Sequence, residues 1–159
     1  MKDATWGRPL DLSDLAADVD PSTPAIWTPE GTITYGELVT LVRQQQSRLP
    51  DRRSLILLTV DNSLGSITSY LACIASNLST ILLPQGDDNF LSEVALQYDP
   101  NFIVDGPSGR VTHRSATEHK LHPELQILLS TSGSTGSPKL VRLSEKNLTA
   151  NATSIAQAL

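Results

Sequence analysis

Residues 54–61 read SLILLTVD. The run shows no polar–apolar alternation, and its length suits a strand better than a helix. A strand without a polar face is covered on both sides, as in a parallel sheet layered between helices. Working outward tests that reading. On the amino side lies TPAIWTPEGTITYGELVTLVRQQQSRL, residues 23–49. Two β-prone pieces, 25–28 and 32–34, flank Pro-Glu-Gly and form a hairpin. Thr34 followed by Glu37 three positions on is a capping-box pattern. Tyr35, Leu38, Val42 and Leu49 then recur at helical spacing, so an amphipathic helix runs to about Leu49 and stops at Pro50.

On the carboxyl side the helical period returns in NSLGSITSYLACIASN, residues 62–77, with a stripe of Leu64, Ile67, Leu71, Ile74 and Leu78. Ser66, Ser69 and Ser76 are weak helix formers, so this helix depends on its packing. TILLP (80–84) is a short strand. DDNFLSEVALQYD (87–99) is a helix with acids at its positive end. NFIVD (101–105) is another strand. Strand, helix, strand, helix, strand is the order of an α/β fold: a layered sheet with crossover helices. Residues 105–122 are polar and aperiodic, a surface connection with a short strand at 110–113. His113, His119 and His122 all fall there. No Cys or carboxylate pattern supplies metal-ligand spacing, so they read as solvated loop residues.

The totals agree. The chain has 159 residues, 39% hydrophobic and 18% charged, with a formal charge of −5. That is a globular composition with no basic surplus for nucleic acid. The single cysteine, Cys73, lies in YLACIAS and reads as a buried, inert thiol. No secretory signal is visible, and no apolar run approaches the ~20 residues of a membrane helix. A cytoplasmic protein is expected, in which the sequons at Asn77, Asn147 and Asn151 are idle.

The most polar stretch, STSGSTGSPK (130–139), sits between the apolar runs LQILL and LVRLS. A loop that holds a phosphate chain needs backbone N–H groups turned inward, hydroxyl donors and a positive charge. Gly133 and Gly136, the Ser and Thr residues, and Lys139 supply these. The same composition also suits a flexible linker, and a hairpin loop of this length is long. The spacing fails the G-x-x-x-x-G-K-[ST] loop, the G-x-G-x-x-G fingerprint and the G-x-S-x-G elbow. A flavin-phosphate loop would open a helix, whereas this one leads into a strand pattern. Ser144 then caps a helix with Leu148, Ala152, Ile155 and Leu159 on one stripe. That helix ends on an apolar residue with no Gly, Asn or Pro stop, so the sequence reads as truncated there.

TSGSTGSPK (131–139) resembles the phosphate-loop signature T-S-G-[ST]-T-G-x-P-K of the adenylate-forming superfamily, matching every fixed place. That superfamily holds acyl-CoA synthetases, peptide-synthetase adenylation domains and luciferase. TPAIWTPEGTITYGELVTLVRQQQSRL is similar to its N-terminal hairpin and T-Y-x-E-L helix start. SLGSITSYLACIASNLSTILLP is similar to its small-residue helix and following strand. The likeness spans about 24–159. Three places depart: Leu140 stands where Gly is usual, Glu145 where His is frequent, and the Gly of a common a-G-A is replaced near 77–79.

The resemblance implies an ATP-dependent ligase that converts a small carboxylic acid to an acyl-adenylate, then passes it to the thiol of CoA or a phosphopantetheine carrier, with Mg²⁺ sharing the phosphate charge. Thr131, Ser132, Gly133, Ser134, Thr135, Gly136, Ser137 and Lys139 would hold the ATP phosphates, with Thr135 and Lys139 foremost. No catalytic residue and no metal ligand is assigned to this chain. The adenine and ribose sites, the acyl pocket and the catalytic Lys lie beyond this length in full members. Residues 1–22 would be a lead-in and 23–159 part of the N-terminal subdomain of an adenylation domain, inactive alone. An acyl-CoA ligase is favoured over a peptide-synthetase domain because LQILLSTSG lacks an aromatic lead-in. The competing reading is a non-enzymatic phosphate- or FMN-binding α/β module.

Overall fold

The computed structural model describes residues 19–130 and 139–158. A hairpin of β1 (Pro24–Thr28) and β2 (Gly31–Thr34) leads into α1 (Tyr35–Gln46). The capping box forms in full: Glu37 N donates to Thr34 Oγ1, and the Glu37 carboxylate accepts from Thr34 N at 2.8 Å. The helix ends three residues short of Leu49, which packs half-buried against the core that Leu38 and Val42 form.

The main sheet has six strands in the order β6-β5-β3-β4-β7-β8. Its centre is β3 (Leu55–Val60), paired in parallel with β4 (Ser79–Pro84) and β5 (Phe102–Asp105). β7 (Leu125–Ser130) continues the parallel set beside β4. The edges are antiparallel: β6 (Arg110–His113) on β5, and β8 (Leu140–Ser144) on β7.

β3 is buried on both faces, and its alternation separates two cores. Leu55 and Leu57 join Ile81, Leu83 and Leu128 under Val94 and Ala95 of α3 (Asp88–Tyr98). Ile56 and Leu58 join Leu78 and Val104 under Cys73 of α2 (Leu64–Ala75). So α2 and α3, the crossovers after β3 and β4, lie on opposite faces. Outside α2, α1 adds a third layer through Leu38 and Val42 against Ala72 and Ala75.

One expectation needs correction. The buried residues of α2 are Ser66, Thr68, Ser69, Ala72, Cys73 and Ala75; of the Leu/Ile stripe, Leu64, Ile67, Leu71 and Ile74 are half-buried, and Leu78, just past the helix, is fully buried. α2 is sandwiched between sheet and α1, so small residues set its close approach and Leu64 and Leu71 turn toward the α1 layer. The stripe of α4 (Glu145–Ala158) lies largely in solvent, with Leu148 half-buried and Ile155 54% exposed. Leu159 lies outside the described residues.

Candidate functional site

The antiparallel partners Ser130 and Leu140 hold the two ends of the polar loop side by side. Residues 131–138 lie outside the described residues. Thr131, Ser132, Gly133, Ser134, Thr135, Gly136 and Ser137 therefore have no described placement, and Lys139, exposed before β8, is the described member of the set. The flanks still fix where the loop springs from. β7 runs parallel to β4, so Ser130 stands at the carboxyl end of the parallel strands. Ligands of open α/β sheets bind at that edge, near the point where successive crossovers leave for opposite faces. Here that point is between β3 and β4, one strand from β7.

The same edge is organised by short polar bonds. Asp61, just past β3, accepts from Ser63 N at 2.9 Å and Ser66 Oγ at 2.7 Å. The bonds from Ser63 and then Ser66 hold its carboxyl below the ordinary range. Ser63 in turn caps α2. Gln85, just past β4, reaches across β3 to Asp105 at the end of β5, Nε2 to Oδ1 at 2.8 Å. Asp87 caps α3 through Phe90 N at 2.9 Å. Asp61, Asp87 and Asp105 make this part of the rim acidic, with Arg110 paired opposite Asp105 in the β5–β6 register.

Gly65 and Gly106 fit this edge for steric reasons. A Cβ on Gly65 would meet the Pro107 carbonyl oxygen at 2.1 Å, and one on Gly106 would meet that of Thr59 at 2.3 Å. The turn after β5 is thereby pressed onto α2, where Ser69 Oγ donates to Gly106 O at 3.0 Å.

The histidines have structural contacts rather than full solvation. His113 stacks edge-on against Phe102 at 5.1 Å between ring centres. His119 Nε2 lies 2.9 Å from the Asp99 carbonyl oxygen, and His122 Nδ1 accepts from Glu124 N. Among the described residues there is no group of three or more His, Cys, Asp or Glu suited to a metal ion. No helix among them is long and apolar enough to cross a membrane.

Three residues were missed by sequence reasoning. Arg53 donates to the carbonyls of Asn77, His122 and Leu125 and to Ser79 Oγ, tying the start of β3 to β4 and β7. Its signal was an Arg directly before a buried strand. Asn77 adopts φ 53, a left-handed position after α2 where Asn substitutes for the more usual Gly. That accounts for one departure from the family pattern. Gln126 is the bulged residue of β7, marked only by a lone amide in LQILL.

No family model matches the sequence, and no curated protein does. Solved structures do match. The complex of VinN with 3-methylaspartate is 21% identical with TM-score 0.72, over 96% of this chain and 52% of that one. ATP-bound MatB from Rhodopseudomonas palustris is 20% identical with TM-score 0.70, over 92% of this chain and 37% of that one. The N-terminal subdomain of Klebsiella oxytoca NpsA, in complex with 3-hydroxyanthranilyl-AMSN, is 18% identical with TM-score 0.65, over 86% and 40%. These neighbours are adenylate-forming enzymes, and the chain has the fold of their N-terminal parts. It spans about half or less of their length.

Proposed function

We propose that the chain is the N-terminal portion of an ATP-dependent carboxylate-activating ligase and carries its ATP-phosphate loop. The observation behind this reading is a conjunction. A nine-position match to the phosphate-loop signature joins β7 to β8 at the carboxyl edge of a sheet. That sheet has the fold of adenylate-forming enzymes, one of them solved with ATP. The fold likeness weighs against the alternative of an FMN or other non-enzymatic module.

In this reading Thr131, Ser132, Ser134, Thr135 and Ser137 donate hydroxyl or backbone N–H groups to the β- and γ-phosphates. Gly133 and Gly136 let the backbone turn inward, and Lys139 adds charge. The loop positions the triphosphate while a carboxylate oxygen attacks the α-phosphorus and the bond to pyrophosphate breaks. Its work is orientation and charge stabilisation, not proton transfer. VinN is solved with 3-methylaspartate, an amino-acid carboxylate, which supports a small carboxylic acid as co-substrate. Transfer to CoA or to a carrier-bound phosphopantetheine would follow, with an acyl-CoA ligase the favoured subclass and the cytoplasm the expected compartment. Mg²⁺ would neutralise the phosphates; the described residues offer it no ligand cluster, and no step is assigned to it.

The test is carboxylate-dependent exchange of pyrophosphate into ATP by a polypeptide that joins this chain to the rest of a ligase. Lys139→Ala should lower exchange about a hundredfold or more, the scale of losing one preorganised charge-stabilising donor. Unchanged exchange in that variant would overturn the role of Lys139.

A further inference from the structure

Pro84 is the last residue of β4, an interior strand with β3 on one side and β7 on the other. A proline has no N–H to give a ladder, so an interior strand tolerates it only where pairing stops. The register shows on which side it stops. β4 stays paired with β3 as far as Val60↔Pro84, and Gln85 N donates to the Val60 carbonyl oxygen at 2.9 Å. Main-chain groups of alternate residues face alternate neighbours, so the nitrogens of Leu83 and Gln85 face β3 and that of Pro84 faces β7. Among the described residues the β4–β7 ladder runs Thr80↔Ile127, Ile81↔Leu128 and Leu82↔Leu129. Its next rung, Leu83 with Ser130, needs an N–H at position 84 to reach the Ser130 carbonyl oxygen, and Pro84 has none.

The pairing therefore stops just before the signature, which begins at Thr131. On its other side Ser130 still pairs with Leu140 of β8, so β7 keeps one neighbour and loses the other. The chain after Pro84 also turns away from β7: the Gln85 side chain crosses β3 to Asp105, and Asp87 caps α3. With an N–H at position 84 the ladder would run on, and the carbonyl at 84 would then claim the amide of residue 132. A loop that cradles phosphate needs its N–H groups turned toward the ligand, and an N–H taken by a neighbouring strand is lost to it. We propose that Pro84 is a positioning residue for the phosphate loop: by ending the β4–β7 ladder at Leu129 it keeps the main-chain groups of the signature out of the sheet and available to bound phosphate. This role rests on the phosphate-loop reading of residues 131–139.

The test compares pyrophosphate binding by the isotope-labelled 159-residue chain with binding by Pro84→Val and Pro84→Ala, and reads hydrogen exchange at each amide. Both substitutions restore an N–H, and valine also suits a strand. In Pro84→Val the new amide at position 84 should exchange slowly and the melting temperature should hold or rise. Pyrophosphate should bind about tenfold more weakly, the scale of one main-chain hydrogen bond. Pro84→Ala should weaken binding in the same direction and decides the matter should Pro84→Val not fold. A proline that served only the fold would show the reverse, a lower melting temperature with affinity unchanged. Undiminished binding by the variants, or rapid exchange of the amide at position 84, would overturn the proposal while leaving the phosphate-loop reading in place. Absence of saturable binding by the unaltered chain would overturn that reading, and the role of Pro84 with it.

Discussion

Asp99 ends α3 at φ 46, a left-handed conformation that non-glycine residues rarely adopt. Its carboxylate gathers Thr117, Ser115 and Arg114, and these contacts, Thr117 first, bring its pKa down to about 2. The group thereby pins the segment after β6 to the end of α3. Because the folded pKa lies below the ordinary 3.8, the contribution is complete above that value and is lost as pH falls toward about 2. Urea titrations of the parent and Asp99→Asn should differ at pH 6 and converge near pH 2. Cys73 is the opposite case: burial pushes its thiol up to about 12. It should resist a thiol reagent in the native chain and react at the rate of unfolding; fast native labelling would contradict its placement. The thiol was legible from its small apolar neighbours. The roles of Asp99 and Arg53 were not, because each depends on partners far away in sequence, and the bulge at Gln126 was not, because it depends on the register with β8.

Among elements, α1, β3, β4, α3 and β5 were legible because local signals and tertiary demand agree. The capping box starts α1, and the unbroken apolar run of β3 matches its burial on both faces. α2 was placed but turned wrongly. Hydrophobicity picks out Leu and Ile, whereas the close approach of two layers selects Ser, Ala and Cys. Gly65→Ala tests that closeness: a methyl group directed at the Pro107 carbonyl should cost about 1–3 kcal/mol in chemical denaturation, the range for overpacking. Little change would mean that the turn after β5 yields easily. The antiparallel β7–β8 pair was half legible. Both strands were expected, but a nine-residue connection between them exceeds the usual hairpin length, so their pairing was not.

At the scale of the molecule, the sheet carries distinct chemistry at its two ends. The carboxyl ends of its parallel strands gather Asp61, Gln85, Asp105 and the springing points of the Ser/Thr/Gly loop, with two helix N-termini nearby. The other end gathers Arg53, Gln126 and the start of α4. α4 and Val141 of β8 leave apolar side chains in solvent, in a chain that spans about half or less of its structural neighbours. The candidate site was legible as a motif, since spacing alone separates it from three other loops. Its position at the carboxyl edge required the topology, which no local signal carries. The most direct test of the central claim is a pyrophosphate titration of the 159-residue chain followed by amide NMR. Saturable shifts are predicted at residues 130–140 and at the neighbouring ends of β3 and β4, abolished by Lys139→Ala. Binding elsewhere, or loop amides that do not respond, would contradict it.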